Sequence, residues 1–206
     1  IVVYGHGSRT YVGGAVVLGA NAEAKGSGED SSIAVGRKAI ADGTNAQAMG
    51  VNARATGAKS LAIGSDSVAQ TAGDIAIGGG ANATYGVAGI PAVTSTGVAI
   101  GKNSTAKGSV SIGESANSDR FGIAIGYRAG AENTTTGTSI SNITIGSNTR
   151  VGESGKKVGQ GIAIGSGVQN DEGAWARGDQ SIAIGSNTKA LGDSSIVIGG
   201  DDLDAV

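Results

Sequence analysis

The sequence predicts an all-β fold, a parallel β-roll made of coils of about fourteen residues. A short cassette of the general form apolar, small, apolar, glycine occurs thirteen times along the 206 residues. Five of the twelve intervals between cassette glycines are fourteen residues long, two are shorter and five are longer. The chain has 39 glycines but only six aromatic residues and one proline. Because large side chains are this scarce, stacked copies of one small unit are favoured over a conventional core.

Each cassette predicts a short strand. Large β-branched residues alternate with a small one, which is the two-residue period of a strand, so the large pair shares one face. Both faces are apolar, as in a strand that is covered on two sides. The glycine that follows suits a tight corner with positive φ. The best copies supply the residues that we assign to the core of the roll or of a trimer: Ile33, Val35, Leu61, Ala62, Ile63, Ile75, Ala76, Ile77, Ile123, Ala124, Ile125, Ile162, Ala163, Ile164, Ile182, Ala183 and Ile184.

A second short strand follows each cassette. Small residues occupy the third and fifth positions after the cassette glycine and another glycine the seventh, as in Ala53, Ala55 and Gly57 after Gly50. One unit is therefore two strands and two corners, a flattened coil. We expect its interior to take isoleucine or valine from the cassette wall and alanine from the second wall. The alanine face of the cassette then needs cover from partner chains, which a symmetric oligomer provides.

Polar residues interrupt the cassettes at Gln47, Ser111 and Thr144. We expect a row of such side chains to meet at a symmetry axis, where they hydrogen-bond to one another or set the register of the chains. Either wall of the coil can face that axis.

Composition argues against several classes of function. The net charge of −2 and the scattered basic residues do not support nucleic-acid binding. The chain has no cysteine and one histidine, His6, so neither a catalytic triad nor a metal cluster is expected, and no cofactor. The enzymes built on a left-handed β-helix repeat in hexads of about eighteen residues per coil, which the fourteen-residue spacing contradicts. An ice-binding solenoid needs regular ranks of threonine, whereas Thr144 is nearly alone at the cassette positions.

The repeat closely resembles the YadA-like head repeat of the trimeric autotransporter adhesins. Ser181–Gly185, with the sequence SIAIG, and Ser32–Gly36, with SIAVG, show the cassette, and the x-x-Ala-x-Ala-x-Gly segment follows it. The resemblance covers nearly the whole chain. Its long intervals are most similar to the heads of the ubiquitous surface protein A type. Asp204–Val206 resemble the opening of the neck that joins head to stalk in this family.

The resemblance implies a left-handed parallel β-roll in each chain, three chains per head, and display on a stalk at a Gram-negative outer membrane. It predicts a head over 1–199 and the start of a neck at 200–206, with the coiled-coil stalk and the C-terminal membrane anchor outside this chain. Heads of this family bind host matrix proteins, such as fibronectin, laminin or collagen, or host-cell receptors. A passive spacer that projects another binding region is the alternative.

Binding residues are expected in the inserted segments, because a solenoid extrudes insertions at its surface. The largest additions run through 79–97, 127–142, 147–161 and 166–180. The third carries the basic residues Arg150, Lys156 and Lys157, which form either a patch for an acidic ligand or a solvated loop. The fourth carries Trp175 beside Arg177, which is either an interface hot spot or a residue packed over the roll or between chains.

Two further motifs have plain explanations. Arg177-Gly178-Asp179 matches the integrin tripeptide, but three residues in a glycine-rich chain match easily by chance. The acidic residues Asp201, Asp202 and Asp204 are more simply a charged cap between roll and neck than a cation site.

Overall fold

A computed structural model describes residues 1–26, 31–84, 96–119, 121–131, 141–152, 158–167 and 173–200. The described residues form strands and turns and contain no helix. Accordingly, no helix long and apolar enough to cross a membrane is found among them. The chain divides into two compact units, the first taking in the described residues up to Gly108 and the second those from Ser109.

The first unit holds two parallel sheets whose strands alternate along the chain. The cassettes form the odd-numbered strands β1 (Val2–Tyr4), β3 (Val16–Leu18), β5 (Ile33–Val35), β7 (Gln47–Met49), β9 (Leu61–Ile63), β11 (Ile75–Ile77) and β13 (Val98–Ile100). The second sheet is β2 (Arg9–Thr10), β4 (Glu23–Ala24), β6 (Ile40–Ala41), β8 (Arg54–Ala55), β10 (Val68–Ala69), β12 (Asn82–Thr84) and β14 (Thr105–Lys107).

The second unit repeats this arrangement. Its cassette strands are β15 (Val110–Ile112), β17 (Ile123–Ile125), β19 (Ile143–Ile145), β21 (Ile162–Ile164), β23 (Ile182–Ile184) and β25 (Ile196–Ile198). Its other sheet is β16 (Asn117–Asp119), β18 (Gly130–Ala131), β20 (Arg150–Val151), β22 (Trp175–Ala176) and β24 (Lys189–Ala190). Cassette residues pair in register, for example Ile162 with Ile182 and Ala163 with Ala183. The predicted all-β fold of stacked parallel coils is confirmed.

The interior of each unit is lined mainly by alanine from both walls, which corrects the expected arrangement. Ala62 and Ala76 of the cassette strands have no exposed surface, and neither do Ala55 and Ala69 of the opposite wall. The large cassette residues point outward and are partly exposed. Isoleucine and valine were assigned to the interior and the cassette alanines to the partner-facing side, and both assignments were wrong. Among the residues assigned to the core, the large ones face outward: Ile33, Val35, Leu61, Ile63, Ile75, Ile77, Ile123, Ile125, Ile162, Ile164, Ile182 and Ile184. The small ones face the interior: Ala62, Ala76, Ala124, Ala163 and Ala183.

The corners explain why small residues take the interior. After most cassette glycines the chain reverses within a few residues, through one residue in the left-handed region two positions later, such as Asn52 (φ 57°) or Asp66 (φ 57°). So short a corner brings the two sheets of a coil close together. Sheets with ordinary side chains between them pack about 10 Å apart. Alanine facing alanine fits a narrower gap, whereas isoleucine does not, and the larger side chains therefore lie outside.

We call the outward side chains of the odd-numbered strands the aliphatic wall of each unit. Among the described strands of the first unit, β3 to β13 contribute valine, leucine, isoleucine and methionine to it, with Gln47 as a polar exception. In the second unit Ile112, Ile125 and Ile145 are 36–38 % exposed. The wall is thus a row of large apolar residues that the single chain leaves open to solvent.

The three polar interruptions do not meet at one surface. Ser111 and Thr144 are fully buried inside the roll. The hydroxyl of Thr144 donates to the carbonyl of Ile123 at 3.3 Å. Gln47 lies on the aliphatic wall between Ile33 and Leu61 of the neighbouring strands. The expected polar row at a symmetry axis is therefore wrong for Ser111 and Thr144, which face inward because they replace cassette alanines.

Candidate functional site

Three of the five predicted binding residues come together on the second unit. The guanidinium carbon of Arg177 lies 5.3 Å from the centroid of the Trp175 ring, and that of Arg150 lies 5.8 Å from it. The indole N–H of Trp175 donates to the carbonyl of Gly152 at 2.8 Å. The ring is thereby held in place while two cations lie within cation–π distance of it. We call Arg150, Trp175 and Arg177 the cation–tryptophan cluster.

The register of the second sheet assembles this cluster. Arg150 of β20 pairs with Trp175 of β22, and Trp175 pairs with Lys189 of β24. The alternate residues Val151, Ala176 and Ala190 are buried in the interior. Because side chains alternate along a strand, Arg150, Trp175 and Lys189 share the outer face. Arg177 follows two residues after Trp175 and lies on that face as well.

The structure also changes the setting of these residues. Arg150 and Trp175 were placed in extruded segments, but both lie on regular strands that pair with their neighbours. Lys156 and Lys157, the other two predicted binding residues, lie outside the described residues. Sequence reasoning missed Lys189, which the register adds to the same face. The signal for Lys189 is the alignment of buried Ala190 with Ala176 and Val151, because the residue before each of them then lies on the same outer face.

The tripeptide Arg177-Gly178-Asp179 is built into a corner of the roll. A carboxylate oxygen of Asp179 accepts the backbone N–H of Gly159 at 2.8 Å. A Cβ on Gly178 would meet the carbonyl of Gly192, so this glycine is packed against the next coil. Two of the three residues therefore have structural roles in this corner. This favours the interpretation that the match to the integrin tripeptide arose by chance.

Buried polar residues brace the ends of two inserted segments, and sequence reasoning missed them too. Asp74 is fully buried, and its carboxylate accepts the backbone N–H of Gly97 at 2.7 Å and that of Thr71 at 2.6 Å. Gly97 leads into β13 near the end of the 23-residue interval from Gly78 to Gly101. Asn142 has the same role before another long interval, because its amide oxygen accepts the N–H of Gly161 at 3.0 Å.

A departure from the repeat marks these braces. The residue before the cassette is serine in several coils, and Ser60 and Ser181 each donate to a carbonyl three residues earlier at 2.6 Å. Asp74 and Asn142 occupy the same position directly before a cassette that precedes a long interval. At these two insertions a longer polar side chain thus binds the backbone as the chain returns.

Replacing Asp74 by serine is expected to destabilise the first unit by about 1–3 kcal/mol. Serine restores the corner hydrogen bond of the regular coils but does not reach the buried N–H of Gly97, which loses its carboxylate partner. Urea unfolding followed by circular dichroism measures the change. The matched variant Ser60→Ala removes only a corner bond, and we expect a loss of about 0.5–1.5 kcal/mol. Equal losses in the two variants would show that Asp74 is no more than a corner residue.

Metal chemistry has no support in the described part of the chain, where no group of three or more His, Cys, Asp or Glu side chains comes together. Asp201, Asp202 and Asp204 lie outside the described residues. The described residues present two outward surfaces, the aliphatic wall and the outer face of the second sheet.

Comparison with known proteins assigns the repeat. No curated protein sequence matches the chain. Among solved structures, the collagen-binding domain of the Yersinia adhesin YadA is similar over 88 % of this chain and 72 % of its own, with 29 % sequence identity and a TM-score of 0.39. The family model of the YadA head domain repeat matches residues 29–53, 41–67, 55–81 and 176–201. The matched repeats at 29–81 and 176–201, together with the stacked parallel coils that they form, support a YadA-like head of the trimeric autotransporter adhesins.

Proposed function

We propose that this chain is the adhesive head of a bacterial surface protein, that it acts as a homotrimer, and that it binds host matrix proteins such as fibronectin, laminin or collagen, or a host-cell receptor. The observation that carries the proposal is the set of YadA head repeats at 29–81 and 176–201, because heads of this family are adhesins. In this proposal residues 200–206 begin the neck, and a stalk and membrane anchor beyond it hold the head at the outer membrane.

The aliphatic wall supports assembly with further copies of the chain. Isoleucine, leucine and valine side chains lie side by side on successive coils with part of their surface open to water. Contiguous apolar surface of this kind marks an interaction site in soluble proteins. Each fully buried isoleucine or leucine contributes about 1.5–3 kcal/mol. Three identical chains that press their aliphatic walls together cover all of them with one repeated contact.

Assembly through the aliphatic wall leaves the second sheet for the ligand. Its outer positions carry polar and charged residues, such as Arg54 on β8, Thr105 on β14 and Arg150 on β20. Most of the additional residues fall in the same part of the repeat, between an even-numbered strand and the next cassette strand: between β4 and β5, β12 and β13, β18 and β19, and β20 and β21. Host proteins are therefore proposed to bind on the second sheet and beside it.

A binding assay on purified chain tests the proposal. Collagen, fibronectin and laminin are immobilised separately, and the chain is passed over each at several concentrations. Saturable binding to at least one matrix protein, together with a trimeric mass in solution, is the expected result. A chain that is trimeric but binds none of these proteins and no cultured host cell would contradict the adhesive function.

One observation favours the alternative of a passive spacer. From β5 to β11 four cassettes follow one another at the ground period of fourteen residues, without an inserted segment between their glycines. Regular coils of this kind suffice to project another region from the surface. A head that shows no binding of its own would assign this role to the chain.

A further inference from the structure

We propose that the cation–tryptophan cluster and Lys189 form a binding face for a linear sulfated polysaccharide. The proposal extends the proposed adhesive function, because it names a ligand class and a site that differ from the matrix proteins considered above.

The charges that the described strand positions place on this face have one sign. Among the described residues, the outward positions of β20, β22 and β24 and of the residues just after them are Arg150, Gly152, Trp175, Arg177, Lys189 and Leu191. Three of the six are cations and none is a carboxylate. The first unit differs, since Glu23 lies on the outer face of β4 and forms an ion pair with Lys25 at 2.9 Å. The part of the second sheet formed by β20, β22 and β24 thus presents a more uniformly cationic face than the sheet around β4.

The cations follow the direction in which coils stack. Arg150, Arg177 and Lys189 lie on three successive coils, and neighbouring strands are about 4.8 Å apart. Arg150 and Lys189 lie in line with Trp175 across the strands, and Arg177 lies two residues, about 7 Å, further along its strand. An extended polyanion that crosses the three coils passes within reach of all three long side chains, whereas a compact anion meets only one or two.

Trp175 prepares two of these cations for binding. Both guanidiniums lie against its ring, and the ring is held by the hydrogen bond to Gly152. Long basic side chains lose considerable rotamer freedom when they bind a ligand, so side chains that already have a preferred position lose less. The planar guanidinium also donates two parallel hydrogen bonds to an oxyanion such as a sulfate group.

The backbone of this face favours a polysaccharide over an acidic peptide. Peptides that add to sheets gain affinity from unpaired backbone groups at an edge. Here the backbone N–H groups of Arg150, Trp175 and Arg177 already donate to the next coil at 2.8–2.9 Å. The face offers side-chain donors only, and a polysaccharide binds through its sulfate groups without needing a backbone partner.

Immobilised heparin tests the proposal, with the variant Arg150→Gln/Arg177→Gln/Lys189→Gln compared against the native chain. We expect binding that weakens steeply as salt is raised, and a loss of affinity of about tenfold or more in the triple variant. The matched control is Arg9→Gln/Arg37→Gln/Arg54→Gln, which removes the same charge from exposed positions of the first unit. It should retain affinity within about twofold.

Three further measurements keep the test decisive. Circular dichroism and thermal unfolding establish that each variant is folded, and Arg150→Lys/Arg177→Lys offers a milder change that keeps the charge but loses the planar donors. Equal losses in the two triple variants would overturn the site, as would binding of desulfated heparin or equally effective competition by polyglutamate. Matrix-protein binding is measured on the same variants: a chain that binds heparin but no matrix protein contradicts only the adhesive proposal, and the reverse result contradicts only the polysaccharide site.

Discussion

The variant Ile63→Asp/Ile77→Asp is expected to be a monomer under conditions in which the native chain is a trimer. Both residues point outward from neighbouring cassette strands and belong to the aliphatic wall. Both isoleucines are already half-buried in the single chain, so if the wall is buried in the trimer, losing them costs each chain about 1.5–3 kcal/mol of apolar burial. The new carboxylates add a desolvation penalty, since a charge buried without a partner is unfavourable. Sedimentation velocity over a wide concentration range measures the mass directly.

The second sheet supplies a closely matched control. Ile40 and Val68 lie at outward positions of β6 and β10 and are half-buried in the single chain, as Ile63 and Ile77 are. Ile40→Asp/Val68→Asp introduces the same two charges and the same loss of β-branched residues. We expect this variant to remain trimeric with the native circular dichroism spectrum. If it dissociates while the Ile63/Ile77 variant stays assembled, the second sheet and not the aliphatic wall joins the chains.

Period and residue type were sufficient to predict the two strands and two corners of each coil. The orientation of the cassette was not predictable in the same way, because a strand such as Ile75–Ile77 is apolar on both faces. The hydrophobic pattern therefore does not indicate whether the isoleucines or the alanine face the interior. The width of the coil decides, and that width depends on how sharply the corners turn. Residues such as Asn52 and Asp66, two positions after the cassette glycine, take the left-handed conformation and are the clue in the sequence.

The candidate site was predictable in its residues but not in its assembly. Trp175 and Arg177 were selected by type, and Arg150 by its basic neighbours. Twenty-three residues separate Trp175 from Gly152, whose carbonyl receives its indole N–H. Insertions of unequal length hide the register between such coils, so the interval gives no direct indication that Arg150 and Trp175 are neighbours. The stacking of buried Val151 on Ala176 provides the register once both are recognised as interior positions.

Replacing the cassette glycine Gly64 by alanine is expected to cost about 2–5 kcal/mol of folding free energy. Gly64 has φ +126°, which residues with a side chain rarely adopt. A Cβ there would lie 2.5 Å from the carbonyl oxygen of Gly78 and 2.6 Å from its carbon, both of which are backbone atoms of the next coil. The backbone cannot move aside without shifting the stack, because Gly78 donates its own N–H to Ile63. The thermal midpoint should fall by about 5–15 °C.

Gly79→Ala is the control, because it adds the same methyl group to a glycine of the neighbouring corner. A Cβ on Gly79 would have only the carbonyl oxygen of Ser65 nearby, at 3.9 Å, and no left-handed φ opposes it. We expect its stability to stay within about 0.5 kcal/mol of the native chain. A native-like midpoint in Gly64→Ala would mean that the coils do not pack glycine against glycine. Since the cassette glycine recurs in every coil, that result would count against the stacking of the whole roll and not against one corner.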